Sequence, residues 1–205
     1  MPVQNIYSDA MARPKEFDRD TALSSAMGVF WRRGYEAAST DELLSAMRIG
    51  RQSMYDTFGD KHKLFVDSLR CYHETNGGAL GRFAVDGMTP MEVIGRFLGH
   101  FADQTVEERQ YGCMGINATT TFGQSNPDVT ALARRTAETS EAIIERQVRA
   151  AQEQGELAAT IDPRQAAEFL YATLQGLTVR AQAGASDDEL RRAADFAMRA
   201  LKAMS

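Results

Sequence analysis

From Asp18 onward the apolar residues recur at intervals of three and four. Leu23, Ala26, Met27, Phe30 and Trp31 lie on one stripe, the pattern of a helix with one inward face, and the stripe stops near Gly34. Ser39 with Glu42 three residues on predicts a capping box opening a two-turn helix whose inward residues are Leu43, Leu44 and Met47. Arg48, Ile49 and Gly50 read as a tight connection, followed by a second short helix, Arg51 to Phe58, with Met54 and Phe58 inward at i and i+4. Asp60 is a suitable N-cap for a longer helix carrying Leu64, Phe65, Leu69 and Tyr72 as far as Gly77 and Gly78, and residues 79–89 have no clear period. Pro90 starts a helix with Met91, Ile94, Phe97, Leu98 and Phe101. The Thr-rich stretch from Cys113 to Phe122 is read as helix against its propensity. A long helix follows from Pro127 to Gly155, another opens at Asp162-Pro163, and a capping box at Ser186 and Glu189 begins the last. No strand alternation or internal repeat breaks this pattern, so the expected fold is all-α, with about nine helices.

A chain of 205 residues can bury a core without staples, and two cysteines 42 positions apart supply neither a disulfide framework nor a four-cysteine zinc site. No apolar run approaches the ~18 residues of a membrane span, and the polar start is unlike a signal peptide, so a cytoplasmic protein without a membrane partner is expected. The net charge of -5 is unevenly spread: residues 11–65 hold nine Lys/Arg against eight Asp/Glu, while the remainder is acidic. A small DNA-facing surface on an acidic body is compatible with that balance. Cys71 and His73, two apart, point to different sides of a helix, and His62 and His100 lie in other segments, so no metal or cofactor is expected. Without a Gly-x-Ser-x-Gly elbow, a phosphate-binding loop after a strand or a His-Glu-x-x-His pair, an enzyme is not expected.

The two short helices and their three-residue turn have the proportions of a helix-turn-helix. With Met54 and Phe58 inward, Gln52, Ser53, Tyr55, Asp56 and Thr57 form a hydrogen-bonding face without an aliphatic residue. The run Arg51-Gln52-Ser53-Met54-Tyr55-Asp56-Thr57-Phe58-Gly59-Asp60-Lys61-His62-Lys63-Leu64-Phe65 resembles the recognition helix and following turn of TetR-type one-component repressors. Phe30-Trp31-Arg32-Arg33-Gly34-Tyr35 and Thr40-Asp41-Glu42-Leu43 are similar to the family's first two helices. The resemblance covers about residues 13–66, and beyond them rests on helix order alone. It implies an N-terminal three-helix DNA-binding domain over 13–60, a larger ligand-binding and dimerisation domain over 61–205, and an extension without a fold over 1–12, since Met11-Ala12-Arg13-Pro14 looks like a usual start.

The implied function is a ligand-responsive repressor that binds palindromic double-stranded operator DNA as a homodimer and is released by a small-molecule inducer. Gln52 and Ser53 can reach bases, Gln toward adenine by a bidentate pair. Tyr55 can contact sugar and phosphate, Arg51 and Thr40 the backbone, and Lys61 a phosphate at a helix N-terminus. Arg13 and Lys15 form an arm suited to the minor groove. Asp56, a carboxylate among phosphates, has no assigned role.

In the C-terminal part the expected ligand contacts are His73, Phe97, Phe101, Cys113, Met114, Asn117, Tyr171 and Gln175, with Phe83, Tyr111, Phe122, Phe169 and His100 as further walls and anchors. Residues 163–204 are expected to form a homodimer four-helix bundle, their small Ala166, Ala167, Ala172, Ala181 and Ala183 admitting another helix. The helix beginning at Lys61 is the expected lever between the two sites. Gly112-Cys113-Met114 is similar to a Gly-Cys-Leu segment in a branch of the family that includes sensors of electrophiles, which implies an alternative, a redox or electrophile-sensing repressor acting through Cys113. A helical ligand-binding or adaptor protein without DNA binding is the other alternative, suggested by Asp56 and the acidic balance.

Overall fold

The computed structural model describes residues 17–76, 80 and 83–203. Among them it holds ten α-helices and one 3-10 turn, and no strand. In chain order these are α1 (Arg19–Ala37), α2 (Thr40–Met47), α3 (Arg51–Phe58), α4 (Lys61–Asn76), α5 (Pro90–Gly99), the 3-10 turn His100–Asp103, α6 (Val106–Gln110), α7 (Met114–Phe122), α8 (Pro127–Glu153), α9 (Pro163–Gln182) and α10 (Asp187–Ala203). The expected extension over 1–12, the Arg13-Lys15 arm and the Gly77-Gly78 break lie outside the described residues.

Local chemistry accounts for most ends. The Asp18 carboxylate accepts from Thr21 N at 2.6 Å and opens α1, which is interrupted at Gly34 (φ 74°, ψ 171°) and regains a turn to Ala37. The box expected at Ser39 is only half formed: Ser39 Oγ accepts from Glu42 N, but the Glu42 carboxylate turns to Arg33 Nε at 3.1 Å. At Ser186 and Glu189 both halves are present, at 2.9 and 3.4 Å. The Phe97 helix ends earlier than its apolar period predicts, at Gly99, and tightens into the 3-10 turn. The helix that brings the count to ten, α6, carries a reciprocal box between Thr105 and Glu108 that was readable in the sequence. In α7 the threonine hydroxyls fold back onto the helix, Thr119 donating to Gly115 O and Thr120 and Thr121 to Asn117 O, which satisfies them without breaking it.

Two hydrophobic cores result. One is built from α1–α4 and is closed from the other side by Met114, Ala118 and Val129. Fully buried Met54 and Phe58 anchor α3 into it, each burial contributing about 1.5–3 kcal/mol. The other fills the space among α5, α8, α9 and α10, around Ile94, Leu98, Ile144, Leu170 and Leu201. Helix α4 contributes Leu64, Phe65 and Leu69 to the first core, so the segment expected to begin the second domain is also part of the first one's packing. Ala166, Ala167 and Ala181 are buried within the protomer, which removes three of the five small residues expected to meet a second chain.

Candidate DNA interface and ligand cavity

Arg48 turns the chain from α2 to α3 in the left-handed region (φ 55°, ψ 41°), unusual for a side chain with a Cβ, and its N–H and that of Ile49 cap the end of α2. The turn lays α3 with Met54 and Phe58 down and its polar residues out. Tyr55 is 46% exposed, Arg51, Gln52 and Asp56 are exposed, and Ser53 and Thr57 are half-exposed. Thr40, the first residue of α2, is half-buried beside this face.

The polar groups are partly tied to one another. Arg51 Nη2 pairs with Asp41 Oδ1 at 2.7 Å, joining the starts of α3 and α2. Gln52 Nε2 donates to Asp56 Oδ1 at 2.8 Å, which supplies a role for Asp56: it holds the Gln52 amide, leaving Oε1 and the second N–H outward. Lys61 has an intramolecular partner of its own. Asp60 caps α4, accepting from Lys63 N at 2.8 Å, while the Lys61 ammonium sits 4.6 Å from the Tyr35 ring centroid in a cation–π contact. A phosphate at this helix start would meet the Asp60 carboxylate and would have to draw Lys61 off Tyr35.

Between the two cores lies a cavity of about 760 Å³. His73, Phe97, Phe101, Cys113, Tyr171 and Gln175 line it. Met114 does not: it points into the core of α1–α4, as the inward register of α7 dictates. Asn117 does not either, its Nδ2 donating to Tyr111 O at 2.9 Å. Phe83, Phe122 and Phe169 are also outside the cavity wall, Phe169 facing outward at 44% exposure. Sequence reasoning missed Trp31, Tyr72, Ser140 and Arg109. Trp31 and Tyr72 fit their helical stripes as ordinary core, and Arg109 sits in an acidic run with nothing to set it apart.

Arg109 is the buried cation of the wall. Its Nη2 donates to Ala102 O at 3.0 Å, Gln104 O at 2.6 Å and Asp187 Oδ1 at 2.7 Å, tying α6 to the start of α10. The Arg109 hydrogen bond holds the Asp187 carboxyl below its usual range. Burial raises the Tyr171 hydroxyl pKa, opposed by hydrogen bonds with Ser140 and Gln175, and pushes Tyr72 up far more strongly, the adjacent Cys113 adding to the effect. His73 packs against Gly115, where a Cβ would collide with its ring.

Burial lowers the pKa of both His73 and His100, so both are neutral at pH 7 in the fold; His100 donates through Nδ1 to Phe97 O at 2.5 Å. The unfolded chain then binds more protons below its ordinary histidine pKa of about 6.5, so stability falls as pH drops below that value and levels off once pH passes the lower folded-state pKa. Urea unfolding between pH 5 and 7.5 checks this, and His100→Gln with His73→Gln flattens the slope; an unchanged slope in the double variant refutes it.

An exposed hydrogen-bonding helix set on a two-helix corner, over an all-helical body with its own cavity, defines a helix-turn-helix DNA-binding protein. Residues 22–67 match the family model for bacterial regulatory proteins of the tetR family, and residues 91–197 match the tetracyclin repressor-like C-terminal domain. The chain is 30% identical to the uncharacterized HTH-type transcriptional regulator YezE of Bacillus subtilis over 93% of its own length and 100% of that protein's. It is 29% identical to the HTH-type transcriptional repressor ComR of Escherichia coli, over 91% and 90% of the two chains. A cysteine mutant of the TetR family transcriptional regulator CifR, complexed with 26-bp double-strand operator DNA, superposes with a TM-score of 0.77 at 32% identity, covering 93% of this chain and all of that one. The chain belongs to the TetR family of transcriptional regulators. Among the described residues, no helix is long and apolar enough to cross a membrane.

Proposed function

We propose that the protein is a cytoplasmic repressor that binds a palindromic operator as a homodimer and leaves it when a small molecule occupies the cavity between the two cores. The observation that carries this reading is α3: a helix anchored by Met54 and Phe58, with Gln52 and Tyr55 turned outward where a major groove can take them. The relative CifR is seen on operator DNA, which supports the same use of α3. In this reading Gln52 and Ser53 contact bases, while Thr40, Arg51, Tyr55 and Lys61 contact the backbone and Arg13 and Lys15 the minor groove. Asp56 acts through Gln52. The DNA-binding unit spans 13–60, after an extension over 1–12, and the ligand and dimer unit spans 61–205, with α4 shared by both cores. His73, Phe97, Phe101, Cys113, Tyr171 and Gln175 would contact the inducer.

Dimerisation is supported by the outer face of α9. Phe169, Ala172, Gly176, Val179 and Ala183 recur there at three and four and are all exposed, and Phe196 on α10 is 67% exposed. That apolar stripe is small enough in the middle to admit a second helix. Selection of duplexes from a random pool, followed by gel shift at two salt concentrations, tests the reading. A palindromic consensus is expected, with affinity falling about a thousandfold or more between about 50 and 200 mM salt, as for a protein neutralising six or more phosphates. No enriched sequence, or binding indifferent to salt, refutes it.

A further inference from the structure

The wall of the cavity nearest the DNA-binding helices contains a hydrogen bond between the two halves of the chain. Trp31, on α1, donates from Nε1 to Gly112 O at 2.9 Å. The same indole lines the cavity and packs edge-on against Tyr72 and Tyr111, at 5.4 and 6.4 Å between centroids. Gly112 is held from the other side as well. Its φ of 57° favours glycine, and a Cβ there would collide with the Gln182 amide at the end of α9. The next residue, Cys113, lines the cavity and is the N-cap of α7. A chain of contacts therefore runs from α1 through Trp31 and Gly112 to the last turn of α9, along the edge of the cavity.

We infer that Trp31 is a positioning residue for DNA recognition, a strut through which bulk entering the cavity beside Gly112 shifts α1 and, with it, the α2–α3 corner packed on it. The inference rests on the reading of α3 as the DNA-contacting helix and adds a route that bypasses the expected lever. Helix α4 also touches both regions, but its cavity residues, Tyr72, His73 and Asn76, stand in its last turns, whereas its link to α3 lies at the other end. Trp31 joins the cavity directly to the helix against which α2 and α4 both pack. Coupling of this kind is a difference free energy between sites and is measured as non-additivity.

The experiment is a double-mutant cycle on the full chain, with a duplex selected by the protein itself. Cys113→Phe places a ring in the cavity next to Gly112 and serves as a built-in occupant. Trp31→Phe keeps an aromatic ring in the wall and deletes the indole donor. Cys113→Phe is expected to weaken DNA binding at least tenfold in the wild-type background and less than threefold beside Trp31→Phe. An equal loss in both backgrounds overturns the inference, and so does no loss in either. Because Trp31 is the sole tryptophan, biosynthetic replacement by benzothienylalanine removes the N–H while keeping the bicyclic shape, and it replaces the phenylalanine variant should that one melt early. Amide exchange across residues 19–37 gives a reading independent of DNA: Cys113→Phe accelerates it only where the Trp31 donor is present. If the wild type binds no duplex, the repressor reading fails on its own, while the exchange measurement still decides for or against the strut.

Discussion

Tyr55→Ala is expected to lower operator affinity by about a hundredfold or more and to move the melting temperature by less than about 2 °C. The first figure follows from a phenolic hydroxyl on a phosphate: a hydrogen bond to a charged group contributes about 1.5–3 kcal/mol, and a symmetric dimer makes it twice. The second follows from position. Tyr55 is 46% exposed and outside the core formed by Met54 and Phe58, and substitutions of this kind change stability by about 0.5 kcal/mol or less. At roughly 2–4 °C per kcal/mol for a chain of this size, the melting curve hardly moves. Fluorescence anisotropy with a selected duplex, beside thermal melting followed by circular dichroism, separates the two effects. Retained DNA affinity would show that α3 is not the reading helix. Lost affinity with a collapsed melting curve would show instead that Tyr55 supports the fold.

Phe196→Asp is expected to convert the protein from a species of twice 22.6 kDa to one of 22.6 kDa, with operator affinity falling as the second half-site contact disappears. Phe196 is 67% exposed in the single chain, and the exposed stripe Phe169, Ala172, Gly176 and Val179 on α9 is apolar or small. A carboxylate there costs nothing in a lone protomer, since it faces water. In a twofold interface it is buried twice, at several kcal/mol per unpaired charge. Sedimentation velocity at micromolar concentration reads the mass directly. An unchanged mass, or a monomeric wild type, would remove this face as the dimer contact and with it the arrangement that sets two reading helices about one DNA turn, ~34 Å, apart.

Most of the helices could be read from the chain because each of these has its own period and its own end signals; the five-residue α6 is too short to show a period. The places where reading and structure part company are those where a side chain had two possible partners. The spacing predicts a box between Glu42 and Ser39, but the Glu42 carboxylate meets Arg33, nine residues earlier in the chain and beside it in space. Lys61, expected at a phosphate, has a second partner in the free chain, the Tyr35 ring. Ala166, Ala167 and Ala181 carry the same small-residue signal as Ala172 and Ala183, yet face inward, because a helix packed on two sides shows apolar residues on both. For the cavity the limit is more severe. Trp31 and Tyr72 read as core because their stripes are correct for core; that the two cores leave a space between them is a property of how the helices together fill volume.

Periodicity, caps and turn residues by themselves determined that this chain is helical, where most of its helices start, and that α3 bares Gln52, Tyr55 and Asp56 while Met54 and Phe58 hold it down. These are local consequences of 3.6 residues per turn and of which groups need hydrogen-bond partners. Only the tertiary structure decided that Asp56 holds the Gln52 amide, that Arg109 is buried among Ala102, Gln104 and Asp187, and that Trp31 reaches Gly112 across 81 positions. Each depends on side-chain direction or on contacts between helices distant in sequence, and spacing along a single chain does not settle either.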